Sequence, residues 1–186
     1  MRLAYAICGS FCTHQKSLGV LKDLAAYHIV TPILSESARD TDTRFGRADV
    51  LRQTVTAICG NDPILSIREA EEQVTKGVFD ALIVSPCTGN TLSKMANGIT
   101  DSTVTMCIKA QLRCRKPVVI ALATNDGLGA TLRSIALTIE KKNVYFVPFG
   151  QDAPFQKPTS LVCDFSLVEE TIQNAISGVQ IQPILL

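Results

Sequence analysis

Residues 79–101, FDALIVSPCTGNTLSKMANGITD, constrain the fold of this chain more than any other stretch. The apolar run at residues 81–84 has the length of a buried strand and is too short for a buried helix. Proline removes a donor and keeps the preceding residue out of helical geometry, so Ser85-Pro86 is expected to end the strand. A helix pattern follows and stops at Asn97-Gly98. The stretch therefore predicts a strand, a polar turn and a short helix.

The turn between that strand and that helix carries hydroxyl and amide side chains at Thr88, Asn90 and Thr91. Gly89 lets the backbone approach a ligand closely. Open α/β sheets bind small anionic or aromatic ligands beyond the carboxyl ends of their strands, often at helix N-termini. The same residues also suit an ordinary strand-to-helix loop with capping hydroxyls. Residue types alone leave both interpretations open.

Length and composition limit the class of protein. A chain of 186 residues with 46% hydrophobic and 19% charged residues is a folded globular protein. We expect a single domain over residues 1–186, with its core at about residues 3–178 and an apolar tail at residues 179–186. The formal net charge of +1 gives no reason to expect nucleic acid or a membrane as partner. Without a membrane-length apolar span or a signal-peptide core, the cytosol is the expected location.

The seven cysteines, at positions 8, 12, 59, 87, 107, 114 and 163, form no CxxC pair. This odd, scattered set argues against a disulfide framework, and the presence of only two histidines argues against a metal site. Most of the thiols are expected to be small core residues. Cys87 lies in the polar turn and is either packed under it or reactive. No catalytic residue is assigned, because no Ser-His-Asp set, HExxH motif, P-loop or carboxylate pair is visible.

Apolar runs alternate with helix patterns along the chain. Strands are expected at residues 3–8, 29–34, 81–84, 118–123 and 144–147, each followed by at least one helix. Pro32 should confine the second strand to a sheet edge. Capping boxes are expected at Ser66 and at Ser166, and the second should begin a final helix that buries Val168, Ile172, Ala175 and Ile176. With right-handed crossovers, this order predicts an α/β fold: a three-layer, doubly wound, Rossmann-like parallel sheet.

Polar turns follow four of these strands, at Gly9-Ser10, at Ser35, at residues 85–91 and at residues 124–129. Since the carboxyl ends of parallel strands meet at one edge of a sheet, the four turns are expected to share one ligand rim. Gly9-Ser10 would present backbone N–H groups that suit a phosphate, although a plain serine cap explains it equally well. The candidate ligand-binding residues are Gly9, Ser10, Ser35, Pro86, Cys87, Thr88, Asn90, Thr91 and Asn125.

Two other segments have more than one interpretation. Residues 39–47 carry three arginines, which form either a solvated loop or a fork that binds carboxylates. On the second interpretation, Arg44 and Arg47, together with Asn125, contact a carboxylate substrate. The apolar tail at residues 180–186 is expected to pack on another surface, such as a second copy of the chain.

Residues 86–91, PCTGNT, followed by residues 94–101, KMANGITD, resemble the P-A-S-A-N-T…K-x-A-x-G-I-x-D signature. That signature belongs to the FMN-binding flavoprotein family, which includes homo-oligomeric cysteine decarboxylases. Gly9-Ser10 matches the first phosphate-binding turn of the family, and Ser35 matches its hydroxyl after the second strand. The resemblance covers about residues 3–147. It implies a flavoprotein-type fold, FMN held by the candidate residues above, and a trimer-based homo-oligomer with the ligand near the contact between neighbouring copies.

The chain also departs from the family pattern. The decarboxylases carry an active-site histidine before the central strand, whereas no histidine lies between Cys59 and Asp80. Their P-x-M-N segment appears here as residues 121–125, ALATN, which keeps only the asparagine. Gly89 stands where the family usually has alanine. Oxidative decarboxylation of a peptidyl cysteine is therefore not expected.

Residues 85–91, 123–129 and 145–152 resemble one branch of the family, a subunit of a bacterial sporulation enzyme. This resemblance implies an oxidoreductase that converts a dihydro intermediate of the lysine pathway into a planar ring dicarboxylate, in the mother-cell cytosol. The partner would be a dehydrogenase-like chain with NADP or NAD. Such a substrate requires anion-binding turns and arginines more than strong bases. The alternatives are a scaffold subunit without a cofactor and an FMN-dependent decarboxylase-like flavoprotein.

Overall fold

The computed structural model describes residues 1–186 and contains one seven-stranded sheet flanked by helices. The strands are β1 Arg2–Ile7, β2 Ile29–Leu34, β3 Ala81–Cys87, β4 Val118–Thr124, β5 Val144–Phe146, β6 Phe149–Gly150 and β7 Leu161–Cys163. The helices are α1 His14–Tyr27, α2 Glu36–Asp40, α3 Ala48–Cys59, α4 Ile67–Val74, α5 Gly89–Ala96, α6 Thr103–Arg113, α7 Leu132–Ile139 and α8 Val168–Ile176. Short 3-10 turns at Phe11–Thr13 and Phe165–Leu167 precede α1 and α8.

Four parallel strands in the order β2-β1-β3-β4 form the centre of the sheet. In the register of these strands, Tyr5 of β1 is paired with Ile83 of β3, and Ile83 is paired with Val119 of β4. These strands are apolar because helices cover both faces: α1 and α8 pack on one side, and α5, α6 and α7 form a separate group. The predicted three-layer, doubly wound α/β fold is confirmed. The edge position of β2 agrees with Pro32 in that strand.

The sheet is not parallel throughout, so one part of the prediction was wrong. β5 pairs in parallel with the first half of β4, and β7 then pairs antiparallel with Ala123 and Thr124 at the end of β4. β6 pairs antiparallel with β7. Strands of two or three residues are too short for an alternation pattern, which explains why the sequence did not indicate β6 and β7.

The prediction that the central strand ends at Ser85-Pro86 was also wrong, since β3 continues to Cys87. Proline removes only a donor, and the ladder between β3 and β4 shifts register between Val84 and Cys87 at this point. The carbonyl of Pro86 still accepts a hydrogen bond from the Cys8 N–H at 3.2 Å. The turn therefore begins later than expected, at Thr88, the N-cap of α5.

One of the two predicted capping boxes is confirmed. The Ser66 side chain accepts from the Glu69 N–H, and the Glu69 carboxylate accepts in return from the Ser66 N–H. The box at Ser166 was wrong, because Asp164 lies two residues earlier and its carboxylate accepts from both the N–H and the hydroxyl of Ser166. α8 buries Val168, Ile172 and Ala175 as expected, whereas Ile176 is 45% exposed. None of the helices has the length and apolarity needed to cross a bilayer.

Candidate functional site

A pocket of about 420 Å³ lies where β1, β3 and β4 end, and we call it the rim pocket. Its lining comes from three strand-to-helix turns, residues 9–12, 88–89 and 123–126, with Phe45 from the segment before α3. Three of the four predicted turns therefore meet at one site. They meet because parallel strands deliver their carboxyl ends to the same edge of the sheet.

Four of the nine candidate ligand-binding residues line the rim pocket: Gly9, Ser10, Thr88 and Asn125. The side chains of Pro86 and Cys87 are buried in the strand, and Asn90 is exposed on the first turn of α5. Thr91 is 8% exposed, and its N–H donates to the Thr88 hydroxyl at 3.2 Å. Ser35 caps α2, since its hydroxyl accepts from the Ala38 N–H at 3.2 Å. The hydroxyls of Ser35 and Thr88 thus cap helices.

Three unpaired peptide N–H groups belong to the rim pocket or to the residue that follows it: Gly9 and Gly89 line the pocket, and Asn90 comes directly after Gly89. Those of Gly9, Gly89 and Asn90 have no acceptor within the chain. The first turn of α5 contains no acidic side chain of its own, and the carboxylate beside it is that of Asp126, whose Oδ1 would lie 3.0 Å from a Cβ at Gly89. Free N–H donors at a helix N-terminus bind phosphate and carboxylate groups. This side of the pocket is suited to an anion.

The rim pocket also carries a carboxylate, which lies next to the start of α5. Asp126 Oδ1 accepts hydrogen bonds from the hydroxyls of Thr131, at 2.7 Å, and of Thr124. These two donors, Thr124 foremost, lower the pKa of Asp126, so its carboxyl group is ionised at neutral pH. Asp126 lay within a turn that the sequence singled out, but its hydrogen bonds to Thr124 and Thr131 were not predicted.

The thiols near the rim pocket differ in exposure. Cys87 is fully buried, and burial raises the pKa of its thiol well above the ordinary value. Burial likewise raises the pKa of Cys8 to about 11. Cys87 is therefore a packing residue under the turn, and a reactive thiolate there is disfavoured. Cys12, in contrast, is exposed and lines the pocket.

The arginine segment borders a second cleft, of about 260 Å³, between α1 and α3. Phe11 and Phe45 line both cavities, so the two adjoin. Arg47 lines the cleft, but its guanidinium forms a fork with the Asp49 carboxylate at 2.9 and 3.0 Å. Arg44 lies over the Phe45 ring, 4.8 Å from its centroid, and lines neither cavity. The guanidinium group of Arg47 is therefore bonded to an acceptor from the chain itself.

His14 has a structural role at the edge of this cleft. Its Nε2 lies 2.8 Å from the carbonyl oxygen of Cys8. Burial lowers the pKa of His14, which makes the ring neutral at pH 7, and the neutral ring donates its Nε2–H to that carbonyl. The histidine fixes the start of the β1–α1 turn. No group of three or more metal-ligating side chains is present in the chain.

A doubly wound sheet with an anion-binding rim is typical of proteins that bind nucleotides or flavins. The chain belongs to the flavoprotein family, whose model matches residues 6–176. This finding confirms the family resemblance based on residues 86–91 and 94–101.

Two relatives are B subunits of dipicolinate synthase. The B subunit of the Bacillus subtilis (strain 168) enzyme is 37% identical over 186 residues, which are 100% of this chain and 93% of the relative. A crystal structure of the B subunit from Bacillus halodurans C is 38% identical, has a TM-score of 0.90, and aligns over 100% of this chain and 95% of its own. The FMN-dependent cysteine decarboxylase SpaF, at 22% identity and a TM-score of 0.68 over 94% and 97% of the chains, shares the fold.

Proposed function

We propose that this chain is the flavin-binding subunit of a dipicolinate synthase. With a dehydrogenase-like partner chain that carries NADP or NAD, it oxidises dihydrodipicolinate to dipicolinate during sporulation. The observation that carries the proposal is the 37% identity to the B subunit of a dipicolinate synthase, because it extends over all 186 residues and so includes the three turns of the rim pocket.

The residues of the rim pocket fit FMN. The free N–H groups of Gly9, Gly89 and Asn90 would hold its phosphate, since donors at a helix N-terminus bind phosphate without a charged side chain. Phe11 and Phe45 offer apolar surface to a flat ring. When bound, FMN supplies a group that accepts a hydride. Of the remaining candidates, Ser10, Thr88 and Asn125 offer polar groups, and Ser35, Pro86, Cys87 and Thr91 support the turns from beneath.

The substrate is a small dicarboxylate, for which Arg44, Arg47 and Asn125 are the proposed contacts. Arg47 is bonded to Asp49 in an exposed pair, and such pairs contribute little to stability. An incoming carboxylate can therefore replace Asp49 as acceptor. The position of Arg47 in the cleft that adjoins the rim pocket would bring the substrate next to the flavin.

We also propose a trimer-based homo-oligomer in the mother-cell cytosol. Leu185 and Leu186 of the tail are 65% and 62% exposed, and Phe155 is 99% exposed, although large apolar side chains are usually covered. Symmetric association would cover them. All seven cysteines are free, which fits a reducing compartment.

Reconstitution tests the proposed function. The mass of the purified chain is measured by light scattering, and dipicolinate formation is then assayed with this chain alone, with the partner alone, and with both chains and the nicotinamide. We expect an oligomer that makes dipicolinate only in the mixture. A monomer would contradict the assembly. Full activity of this chain alone would contradict the need for a partner, and an inactive mixture would contradict the reaction.

Decarboxylation is the competing activity, since the fold is shared with a cysteine decarboxylase. We expect no release of CO2 from a peptide with a C-terminal cysteine, because residues 59–80 contain no histidine and residues 121–125 keep only the asparagine of P-x-M-N. The assay compares CO2 release with and without the FMN-treated protein. Release above the enzyme-free rate would favour the decarboxylase.

A further inference from the structure

Asp126 is the anionic side chain that lines the rim pocket. Both of its hydrogen bonds from hydroxyl groups, from Thr124 and Thr131, go to Oδ1, and no donor of the chain is bonded to Oδ2. It also forms no salt bridge with a lysine or arginine. One carboxylate oxygen is thus fixed by the protein, and the other keeps its lone pairs for a ligand.

The space for this carboxylate depends on Gly89. A Cβ at residue 89 would lie 2.5 Å from Thr131 Oγ1, 2.7 Å from Thr124 Oγ1 and 3.0 Å from Asp126 Oδ1. The φ angle of Gly89 is not positive, so its backbone does not require glycine. The absence of a side chain at residue 89 allows Asp126 and its two threonines to pack against the start of α5.

We propose that Asp126 Oδ2 accepts the proton that the substrate loses during oxidation, an inference that rests on the proposed function. A dihydropyridine dicarboxylate becomes a pyridine dicarboxylate by losing a hydride and a proton. The C–H bond at the saturated carbon breaks, and its electron pair leaves with hydrogen for the flavin or nicotinamide oxidant. A second ring hydrogen is transferred as a proton to Oδ2. Its bond to the ring breaks, a new O–H bond forms on Asp126, and the electron pair left behind completes the aromatic ring.

The surroundings of Asp126 suit this role. Two hydroxyl donors make the carboxylate a weaker base, but the gain of aromaticity drives the transfer, so a strong base is not needed. The guanidinium groups of Arg44 and Arg47, which are the proposed substrate contacts, offset the repulsion between Asp126 and an anionic substrate, while the N–H groups of Gly9, Gly89 and Asn90 hold the flavin phosphate. The rim pocket therefore places anion donors and a proton acceptor on different turns.

Asp126→Asn tests the proposal in the reconstituted two-chain enzyme. General bases typically contribute about 10²–10⁴ in rate, so kcat should fall at least about 100-fold. The matched control is Asp101→Asn, which removes a carboxylate whose pKa is lowered by Lys94 and which lies outside the rim pocket. The control should keep the wild-type kcat. Thermal unfolding of both variants checks that each is folded.

A second measurement does not depend on turnover. The enthalpy of dipicolinate binding to the two-chain complex, measured in buffers of different ionisation enthalpy, gives the number of protons taken up. Wild type and Asp101→Asn should take up more protons near pH 6 than Asp126→Asn, because product binding favours protonated Asp126. Equal proton uptake in all three proteins, or a kcat of Asp126→Asn within threefold of wild type, would overturn the proposal and leave the proposed function intact. An inactive wild-type mixture would overturn both.

If Asp126→Asn fails to fold, Asp126→Ser replaces it, since serine keeps a short side chain with an oxygen acceptor for the Thr124 and Thr131 hydroxyls but has no carboxylate. The same loss of kcat and of proton uptake is expected. Wild-type values for a folded Asp126→Ser protein would overturn the role of Asp126.

Discussion

The two sides of the rim pocket differ in what they offer a ligand. The β1–α1 and β3–α5 turns present the peptide N–H groups of Gly9, Gly89 and Asn90, which have no acceptor in the chain. The β4–α7 turn presents the Asp126 carboxylate. Donors hold an anion, whereas an ionised carboxylate repels one and accepts protons. On the proposed roles, anion binding and proton transfer are divided between turns that follow neighbouring strands of one sheet.

The difference arises from how each strand meets its helix. β3 passes directly into α5, so the helix N-terminus itself forms the wall of the pocket. β4 is followed by a longer turn before α7 begins at Leu132. That turn is closed by the N–H groups of Gly129 and Thr131, which both donate to the Asp126 carbonyl, and by Leu128, which donates to Thr159. These bonds hold the Asp126 side chain at the rim.

The largest effect is expected from Gly89→Ala, which breaks the contact between the two sides. The Cβ would overlap three oxygen atoms, so the free energy of unfolding should fall by about 1–3 kcal/mol, and FMN affinity should fall as well. Urea unfolding and FMN titration measure both.

Gly19→Ala is the matched control for that substitution. Gly19 is also helical, but a Cβ there meets nothing within 4 Å. Alanine should therefore stabilise the protein by up to about 1 kcal/mol through helix propensity. If both variants behave alike, the crowding at Gly89 does not matter and the comparison fails.

Asn90→Ala probes the donor side alone. The Asn90 side chain is exposed, with no hydrogen-bond partner in the chain, so stability should not change, while FMN binding should weaken by about 1–2 kcal/mol. Isothermal titration measures the affinity. Asn97→Ala, at the other end of the same helix, should bind FMN like wild type. Unchanged affinity of Asn90→Ala would remove this residue from the site.

Thr131→Val probes the carboxylate side through pH. The Thr124 and Thr131 hydroxyls lower the pKa of Asp126. The stability that these two hydrogen bonds give the folded protein is therefore complete above the ordinary carboxyl pKa and is lost as pH falls through the lowered pKa. Removing Thr131 Oγ1 raises the pKa of Asp126. The acid limb of the pH profile of kcat/KM should therefore move to higher pH. At pH 7.5, kcat/KM itself should change by a few-fold at most. The pH–rate profile should not move in Thr171→Val, whose hydroxyl donates to the Leu167 carbonyl at the start of α8.

The smallest effect is expected for chemical labelling of Cys12, where bound FMN only blocks the access of the reagent. Cys12 is exposed in the rim pocket, whereas Cys114 is half-buried elsewhere. At ten times its Kd, FMN should slow alkylation of Cys12 about tenfold by mass action and leave Cys114 unchanged. Mass spectrometry of timed samples measures both rates. Unchanged Cys12 labelling with FMN bound would place the flavin outside the rim pocket.

Periodicity and turn residues were sufficient to predict the parallel strands and the position of Gly9, Ser10, Thr88 and Asn125 at one rim. Those features depend on local sequence and on the rule that parallel strands align their ends. The contacts of Gly89 with Thr124, Asp126 and Thr131 could not be predicted, since they join segments that are distant in sequence. The same holds for Phe45, which reaches the pocket from the arginine segment, and for β6 and β7, whose pairing with β4 has no local signal.

The absorption spectrum of the protein after incubation with FMN and removal of free ligand tests the central claim most directly. We expect flavin absorption in the visible range at about one FMN per chain in the wild type, and much less in Gly89→Ala. A wild-type protein that retains no flavin at saturating FMN would contradict the account. The rim pocket would then be an anion site without a flavin, and the scaffold alternative would be favoured.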